Sequence, residues 1–340
     1  MTFPKLLAIM ACVLFGIIGI AAMFKNSKES PPQIDIAHSV PLEIELDQEI
    51  RTVASAPKET PPTAAVSPAA KAQAEAELPD ANRINELFNK IEPRLPIVQT
   101  ITYKSRVPWQ KGRPAWLSDY AAHFTTSRHF IARSLNGKPD YLKQDIAEGD
   151  RFNVLHPDKK INFYLLIDIS RSKMWFYYLD METNERVLLK TYMVGLGKID
   201  SSKPSGMLTP LGKYTLGNKI AIYKPKLMGF HNGKKTEMIR VFGTRWIPFG
   251  QEIGESTAAP NGFGIHGVSW LPNGKGELVE DIGSIGRYAS DGCVCLSTAD
   301  MEELFAVIIT RPTTIELVKD FYEARLPGTE EAKSPSVEKG

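Results

Sequence analysis

From Asn162 onward the chain predicts a mainly β fold, a sandwich or barrel-like core with one short helix near its end. Three observations carry this. Apolar and aromatic runs follow one another at short intervals, punctuated by Gly and Pro. A single stretch of helical spacing, Met301, Leu304, Phe305 and Ile308, follows the capping run Ser297-Thr298-Ala299-Asp300. Upstream, a strand, two helices and a strand predict a separate, small α+β unit.

Leu6 to Phe24 is an unbroken apolar stretch between Lys5 and Lys25, long enough to cross a bilayer as a helix. Residues 1–27 are therefore read as an amino-terminal transmembrane anchor. A cleaved signal peptide is the competing reading, but the stretch is long for one and no Ala-x-Ala site follows. Cys12 as a lipoprotein site is a third, disfavoured because the chain stays apolar well past it. Residues 28–80 repeat Pro, Ala, Glu, Ser and Thr without an apolar period, as in an extended spacer. In 81–97, Asp80 caps a short helix with Ile84, Leu87, Phe88 and Ile91 on one face, and Pro93 ends it.

Residues 98–157 form the α+β unit. Ile101 to Lys104 alternates like a strand, Leu117 to Phe124 reads as a helix, Ser127 starts another that Asn136-Gly137 stops, and Gly149 to Leu155 closes as a strand. His123, His129 and His156 read as surface or capping residues. In 160–322, Phe163 to Ile169, Met174 to Leu179, Arg186 to Val194, Lys213 to Leu216, Ile239 to Phe242, Gly262 to Ile265 and Thr314 to Val318 read as strands. Residues 323–340 are a polar tail, loose from Pro327.

Composition excludes several classes. Net charge is +2 over 340 residues, so no nucleic acid or other polyanion is implied. Three cysteines, Cys12, Cys293 and Cys295, exclude a disulfide framework. No His-Glu-x-x-His or Cys-x-x-Cys occurs, so neither a metal nor another cofactor is expected.

One pair of motifs carries chemistry: His266-Gly267, then Ser290-Asp291-Gly292-Cys293. A cysteine directly after a glycine, with a histidine from another strand, suits a thiol nucleophile activated by an imidazole. Gly292 allows a backbone conformation closed to other residues. The amides of Gly292 and Cys293 would face a developing oxyanion. With Gly264-Ile265, Gly283-Ser284-Ile285-Gly286 and Thr209-Pro210-Leu211-Gly212-Lys213-Tyr214, these motifs resemble the L,D-transpeptidase catalytic domain of the YkuD type over roughly residues 160–320. The α+β unit is similar to a LysM module, a small glycan-binding domain, on Tyr120-Ala121, Phe124, Ile131, Asn136-Gly137, Gly149, Phe152 and Val154. Lys111-Gly112-Arg113-Pro114 stands where that module carries Gly-Asp.

The resemblance implies Cys293 as nucleophile, His266 as general base and Gly292 as an oxyanion donor. It places Ser290, Asp291, Gly267, Arg287 and Trp270 against substrate. It also implies the reaction: attack on a peptidoglycan tetrapeptide stem, loss of D-alanine, a thioester on Cys293, and transfer to an amine. The expected partners are stem peptides, glycan strands and, through the amino-terminal helix, the cytoplasmic membrane. The expected location is that membrane, with the folded part in the cell-wall space or periplasm.

Three departures stand out. Asp291 replaces a common His and would raise a neighbouring thiol's pKa by like-charge repulsion. Cys295 replaces an arginine that meets a carboxylate or braces the turn; Arg287 is the nearest substitute, with Arg240 and Arg245 behind it. A Cys293–Cys295 bridge is strained across one residue. The His266–Cys293 interval is long for the family, and Asn273-Gly274 within it predicts an extra hairpin beside the groove. Trp246, Phe249 and Phe263 are read as packing. A non-catalytic wall-binding module, and water as acceptor in place of an amine, remain alternatives. A generic cysteine protease is a weaker one.

Overall fold

The computed structural model describes residues 78–139 and 144–330. The apolar span at 6–24 and nearly all of the spacer lie outside the described residues. Among the described residues no helix is long and apolar enough to cross a membrane.

The α+β unit has the expected order. Strand β1 (Val98–Thr102) leads to α1 (Leu117–His123), α2 (Arg128–Asn136) and β2 (Arg151–Leu155). β1 and β2 pair antiparallel, Val98 opposite Leu155. Ser127 caps α2, its hydroxyl accepting from the Phe130 amide at 2.9 Å. Gly137, at φ 75°, ends that helix in the left-handed region. Tyr103, Leu117, Tyr120, Ile131, Phe152 and Val154 form the unit's own core. Val98, Phe130 and Leu155 instead join the main core, and the Ser127 hydroxyl donates to the Ala306 carbonyl at 2.5 Å. The unit is thus continuous with the main body. His129 is buried against the Phe305 ring and is not a surface residue. His123 stacks on Trp109.

The main body begins with β3 (Ile161–Asp168), β4 (Lys173–Asp180), β5 (Glu185–Met193), β6 (Leu196–Gly197), β7 (Gly212–Leu216) and β8 (Ala221–Ile222). The hairpin β9 (Met228–His231) and β10 (Lys234–Glu237) follows, then the helical turn α3 (Ile239–Phe242). The chain continues through β11 (Arg245–Glu252), β12 (Gly264–Gly267), β13 (Trp270–Pro272), β14 (Leu278–Glu280), β15 (Tyr288–Ser290) and β16 (Val294–Leu296). Helix α4 (Thr298–Ile308), β17 (Thr313–Val318) and β18 (Thr329–Glu330) complete it.

Nine of these strands form one path in the order β16-β12-β11-β7-β17-β3-β4-β5-β18, with β8 on β11. β3 and β4 read as nearly unbroken apolar runs because both faces are covered. One face packs Phe163, Leu165 and Ile167 with Leu304 and Phe305 of α4. The other packs Tyr164, Leu166, Trp175 and Tyr177 with Phe321 and Leu326. The sheet curls, so that Gly195, just past β5, exchanges two backbone hydrogen bonds of 2.8 Å with Cys295 of β16 at the far end of the path.

Four expectations are corrected. Ile239–Phe242 is a helical turn: Ile239 and Phe242, three apart, share the buried face, and Gly243 at φ 61° stops it. Asp80 caps nothing. The short helix there is 3-10, spans Ile84–Leu87 after Arg83, and leaves Ile91 exposed. The described part of the tail, through residue 330, is tied to the main body. Thr329–Glu330 pairs with Glu185 and Arg186, and the Arg186 guanidinium donates to the Pro327 and Gly328 carbonyls. Arg245–Glu252, with Pro248 at its middle, is a central strand not among the expected ones.

Candidate active site

β12 and β16 lie side by side in parallel, with Ile265 opposite Val294, His266 opposite Cys295 and Gly267 opposite Leu296. This register brings the two motifs together. Cys293 stands at the entrance to β16, immediately after the turn formed by Ser290–Gly292.

That turn is built around a glycine whose conformation and surroundings disfavour any side chain. Gly292 has φ 120°, and a Cβ there would meet the Phe263 ring at 2.6 Å and the Leu208 carbonyl at 2.9 Å. Ser290 locks it: the hydroxyl donates to the Cys293 carbonyl at 2.7 Å and accepts the Gly292 amide at 3.2 Å. The Gly292 amide is therefore engaged by Ser290 rather than turned to an open site. Thr209, fully buried, accepts the Gly197 amide at 2.7 Å. Gly197 in turn lies so close that a Cβ on it would stand 2.9 Å from the Gly292 Cα. The Thr209–Tyr214 element thus cradles the turn. Tyr214 anchors it with a hydroxyl bond to the Ala258 carbonyl at 2.7 Å.

His266 is buried, its ring among those of Phe242 and Trp246. Nδ1 lies 2.7 Å from the Gly267 carbonyl. A carbonyl only accepts, so Nδ1 carries the proton and Nε2 presents a lone pair. Burial holds the imidazole at a pKa of about 4, opposed by the Gly267 carbonyl and aided by His231. The ring is neutral near neutral pH, as a general base must be.

The Cys295 sulfur packs against the imidazole, 3.5 Å from Nε2 and 4.0 Å from Nδ1, off the line of the Nε2 lone pair. The Cys293 sulfur rests against the Gly262 carbonyl at 3.6 Å, and no hydrogen bond joins it to His266 among the described residues. Cys293 is half-buried and packs beside Met238, Phe242 and Trp246. Burial first, and then the Asp291 charge, pushes its thiol up to about 12, while the Gly264 amide pulls the other way. Cys295 is buried, and its thiol is raised further, also chiefly by burial. Both thiols are protonated at rest.

The remaining candidates are placed as follows. Asp291 is exposed and pairs with Lys198 at 2.8 Å. Gly267 lies buried in β12 with its carbonyl on His266. Arg287 is exposed; its backbone carbonyl accepts from the Leu196 amide at 2.9 Å. Arg245 is no substrate arginine: it is buried, bonds the Thr244 carbonyl at 2.8 Å and lies 3.6 Å from Glu302 of α4. Trp270 turns its indole N–H to the Thr298 hydroxyl at 3.2 Å, tying β13 to the start of α4.

The long interval between the motifs is a hairpin, as its Asn-Gly suggests. β13 and β14 pair antiparallel, Leu271 opposite Val279. The connection is longer than an Asn273-Gly274 two-residue turn. Asn273 Oδ1 accepts the Lys275 and Glu277 amides, and Gly276 takes φ 79°. Glu280 then caps α4 by accepting the Thr298 amide at 2.9 Å. Among the described residues no cluster of three His, Cys, Asp or Glu side chains is placed to hold a metal ion.

No curated protein matches the chain. Solved structures similar to it include Bd1075 of Bdellovibrio bacteriovorus, with 16% identity over 46% of this chain and 48% of that one, at a TM-score of 0.31. Another is the helical cell shape determining protein Pgp2 of Campylobacter jejuni, with 15% identity over 50% of this chain and 51% of that one, at a TM-score of 0.32. The chain spans about half the length of each. Residues 162–317 match the family model of the YkuD L,D-transpeptidase catalytic domain.

Proposed function

We propose that the protein is a peptidoglycan L,D-transpeptidase with Cys293 as nucleophile and His266 as base. The observation that carries this is the parallel register of β12 and β16 inside the matched domain. It sets a neutral imidazole, with Nε2 unprotonated, beside the strand that Gly292-Cys293 leads into.

The proposed chemistry follows from the two pKa values. A thiol held near 12 and an imidazole near 4 do not form a resting ion pair. Proton transfer therefore accompanies attack. The Cys293 side chain turns from the Gly262 carbonyl toward the imidazole, and its proton passes to Nε2. The sulfur bonds to the carbonyl carbon of the third residue of a tetrapeptide stem. The C–N bond to the terminal D-alanine breaks, and the imidazolium returns the proton to the departing amine. An amine from a second stem then displaces the thioester and restores the thiol; water in its place gives carboxypeptidase trimming. The Cys293 amide is the oxyanion donor of this scheme. The Gly292 amide joins it on release from Ser290.

The further proposals are that residues 98–157 contact glycan in the manner of a LysM module, and that residues 1–27 anchor the chain to the cytoplasmic membrane with the folded part outside. A second reading, a non-catalytic wall-binding module, is favoured by one observation: the sulfur that packs against the His266 ring is that of Cys295 and not that of Cys293. The test is incubation with disaccharide tetrapeptides and mass spectrometry. D-Alanine release with an acyl adduct on Cys293 supports the enzyme. Neither product, with the tetrapeptide still bound, supports the module.

A further inference from the structure

The segment from Lys219 to Arg240 is charged unlike the rest of the chain. It carries Lys219, Lys224, Lys226, Lys234, Lys235 and Arg240 against a single carboxylate, Glu237, while the whole protein nets only +2. All six cations are exposed. Among the described residues none of them makes an ion pair. The one carboxylate is already engaged, its Oε1 accepting the Lys226 amide at 2.5 Å. Unpaired like charges on so short a segment repel one another, a cost that a folded surface ordinarily relieves with interspersed carboxylates.

The same segment carries two exposed apolar side chains. In the β9–β10 hairpin, Phe230 is 49% and Met228 42% exposed. Phe230 stands opposite Lys235, and Met228 opposite Glu237. Gly229, between them, turns inward onto Met238, where an added Cβ would meet the sulfur at 2.5 Å. The hairpin therefore presents a mixed cationic and apolar outer face and is pinned by its inner one.

Its location gives this face a use. The His231 ring meets Phe242 edge-on at 5.4 Å, and Phe242 meets His266 edge-on at the same separation. Ala221 and Tyr223 pack in the cluster that includes Cys293. One wall of the thiol site is thus made by the segment whose outer surface carries the cations.

We propose that Lys219–Arg240 is a docking surface for peptides bearing free carboxylates, and that it holds the acidic stem peptides of the wall beside Cys293. This rests on the stem-peptide reading above and adds to it the surface and the charge that do the recognising. Phe230 and Met228 supply apolar contact while the lysines meet carboxylates. Each exposed pair contributes little, so the effect is collective and sensitive to salt.

The experiment compares the full chain with its Lys226→Glu/Lys234→Glu/Lys235→Glu variant, and with the milder triple Gln variant should the first fail to fold. Binding is measured for a disaccharide tetrapeptide, for the same compound with its carboxylates amidated, and for anionic phospholipid vesicles. The expected result is binding of the acidic tetrapeptide weakened about tenfold in the variant at low salt, the gap closing as salt rises. The amidated compound binds both proteins alike. Equal affinity of both proteins for the acidic peptide overturns the proposal. So does binding of the wild-type chain to anionic vesicles that the tetrapeptide does not compete. Should both proteins fail to release D-alanine while the binding gap persists, the enzymatic reading falls and the docking surface stands. Should both bind and release alike, the surface falls and the enzymatic reading stands.

Discussion

The Nε2 atom of His266 lies 3.5 Å from the sulfur of Cys295, its register partner across the parallel β12–β16 pair. With Nδ1 committed to the Gly267 carbonyl, Nε2 is the acceptor of the ring. The same sulfur lies 4.0 Å from Nδ1, so it packs against the imidazole beside the Nε2 lone pair and not along it. Replacing Cys295 by Ala removes this contact and opens space at the ring. A sulfur–ring contact of about 1 kcal/mol corresponds to a roughly fivefold gain in alkylation of Cys293 by iodoacetamide near neutral pH. Mass spectrometry of the alkylated peptide measures this. A rate that falls in Cys295→Ala would show that Cys295 orients the imidazole instead of blocking it.

The burial of His266 sets a stability dependence on pH. Its folded pKa, about 4, is below the ordinary value of 6.5. Below 6.5 the unfolded chain takes up a proton that the folded chain refuses, so stability falls as pH drops from about 6.5 and levels off below about 4. The full loss is on the order of 3 kcal/mol. Urea unfolding of the wild-type chain and of His266→Gln at several pH values checks it: the variant lacks this part of the slope. On the proposed mechanism the acid limb of kcat/KM follows the same ring and falls near pH 4 rather than near 6.5.

The relation between sequence and structure is uneven for definite reasons. β3 and β4 were legible because burial on both faces demands continuous apolar and aromatic runs. α4 was legible because Ser297 caps it through the Asp300 amide at 3.2 Å. The helical turn at Ile239–Phe242 was not: four apolar-rich residues fit either period, and only Gly243 and the packing of Met238 and Phe242 decide it. β11 was hidden by Pro248, which breaks the expected ladder. It lies opposite Gly264, and its carbonyl accepts the Gly217 amide at 2.8 Å. At the site, the motif residues could be named from order alone. Which thiol faces the imidazole depends on strand register, and a hairpin of unknown geometry separates His266 from Cys293 in sequence. Gly197 and Thr209 became visible as the cradle of Gly292 only through close approach in space.

Gly292 tests that cradle. Substitution by Ala places a methyl group against Phe263 and the Leu208 carbonyl, both closer than 3 Å, at a φ that side chains avoid. The expected cost is about 2–3 kcal/mol of stability, from backbone strain and overpacking together. The Cys293 sulfur is displaced with the turn, so alkylation slows even where the chain remains folded. Thermal unfolding followed in parallel with labelling separates the two effects. Unchanged melting and unchanged labelling would mean that the turn tolerates a side chain.

Ser290 makes the complementary prediction. Its hydroxyl both donates to the Cys293 carbonyl and accepts the Gly292 amide. Ser290→Ala removes both bonds and costs about 1–2 kcal/mol. It also frees the Gly292 amide, which the proposed mechanism asks to turn toward the oxyanion. If that amide works only when released, Ser290→Ala lowers stability while leaving the rate of acylation by tetrapeptide equal to or above that of the wild type. A rate that drops together with stability would show that Ser290 is needed to aim the turn.

Asp291 allows a test of the thiol itself. Its carboxylate raises the Cys293 pKa, second to burial, and is paired with the exposed Lys198. Asp291→Asn removes the repulsion and leaves the burial, so the thiol pKa falls while staying well above that of a free cysteine. Because the carboxylate is 78% exposed, salt screens its effect, and the difference between wild type and variant shrinks as ionic strength rises. Thiolate absorbance in the ultraviolet, followed from neutral to alkaline pH in low and high salt, reads both. A Cys293 pKa unmoved by the substitution at low salt would leave burial as the whole cause. A fall to the ordinary cysteine range would mean that the Asp291 charge outweighs desolvation.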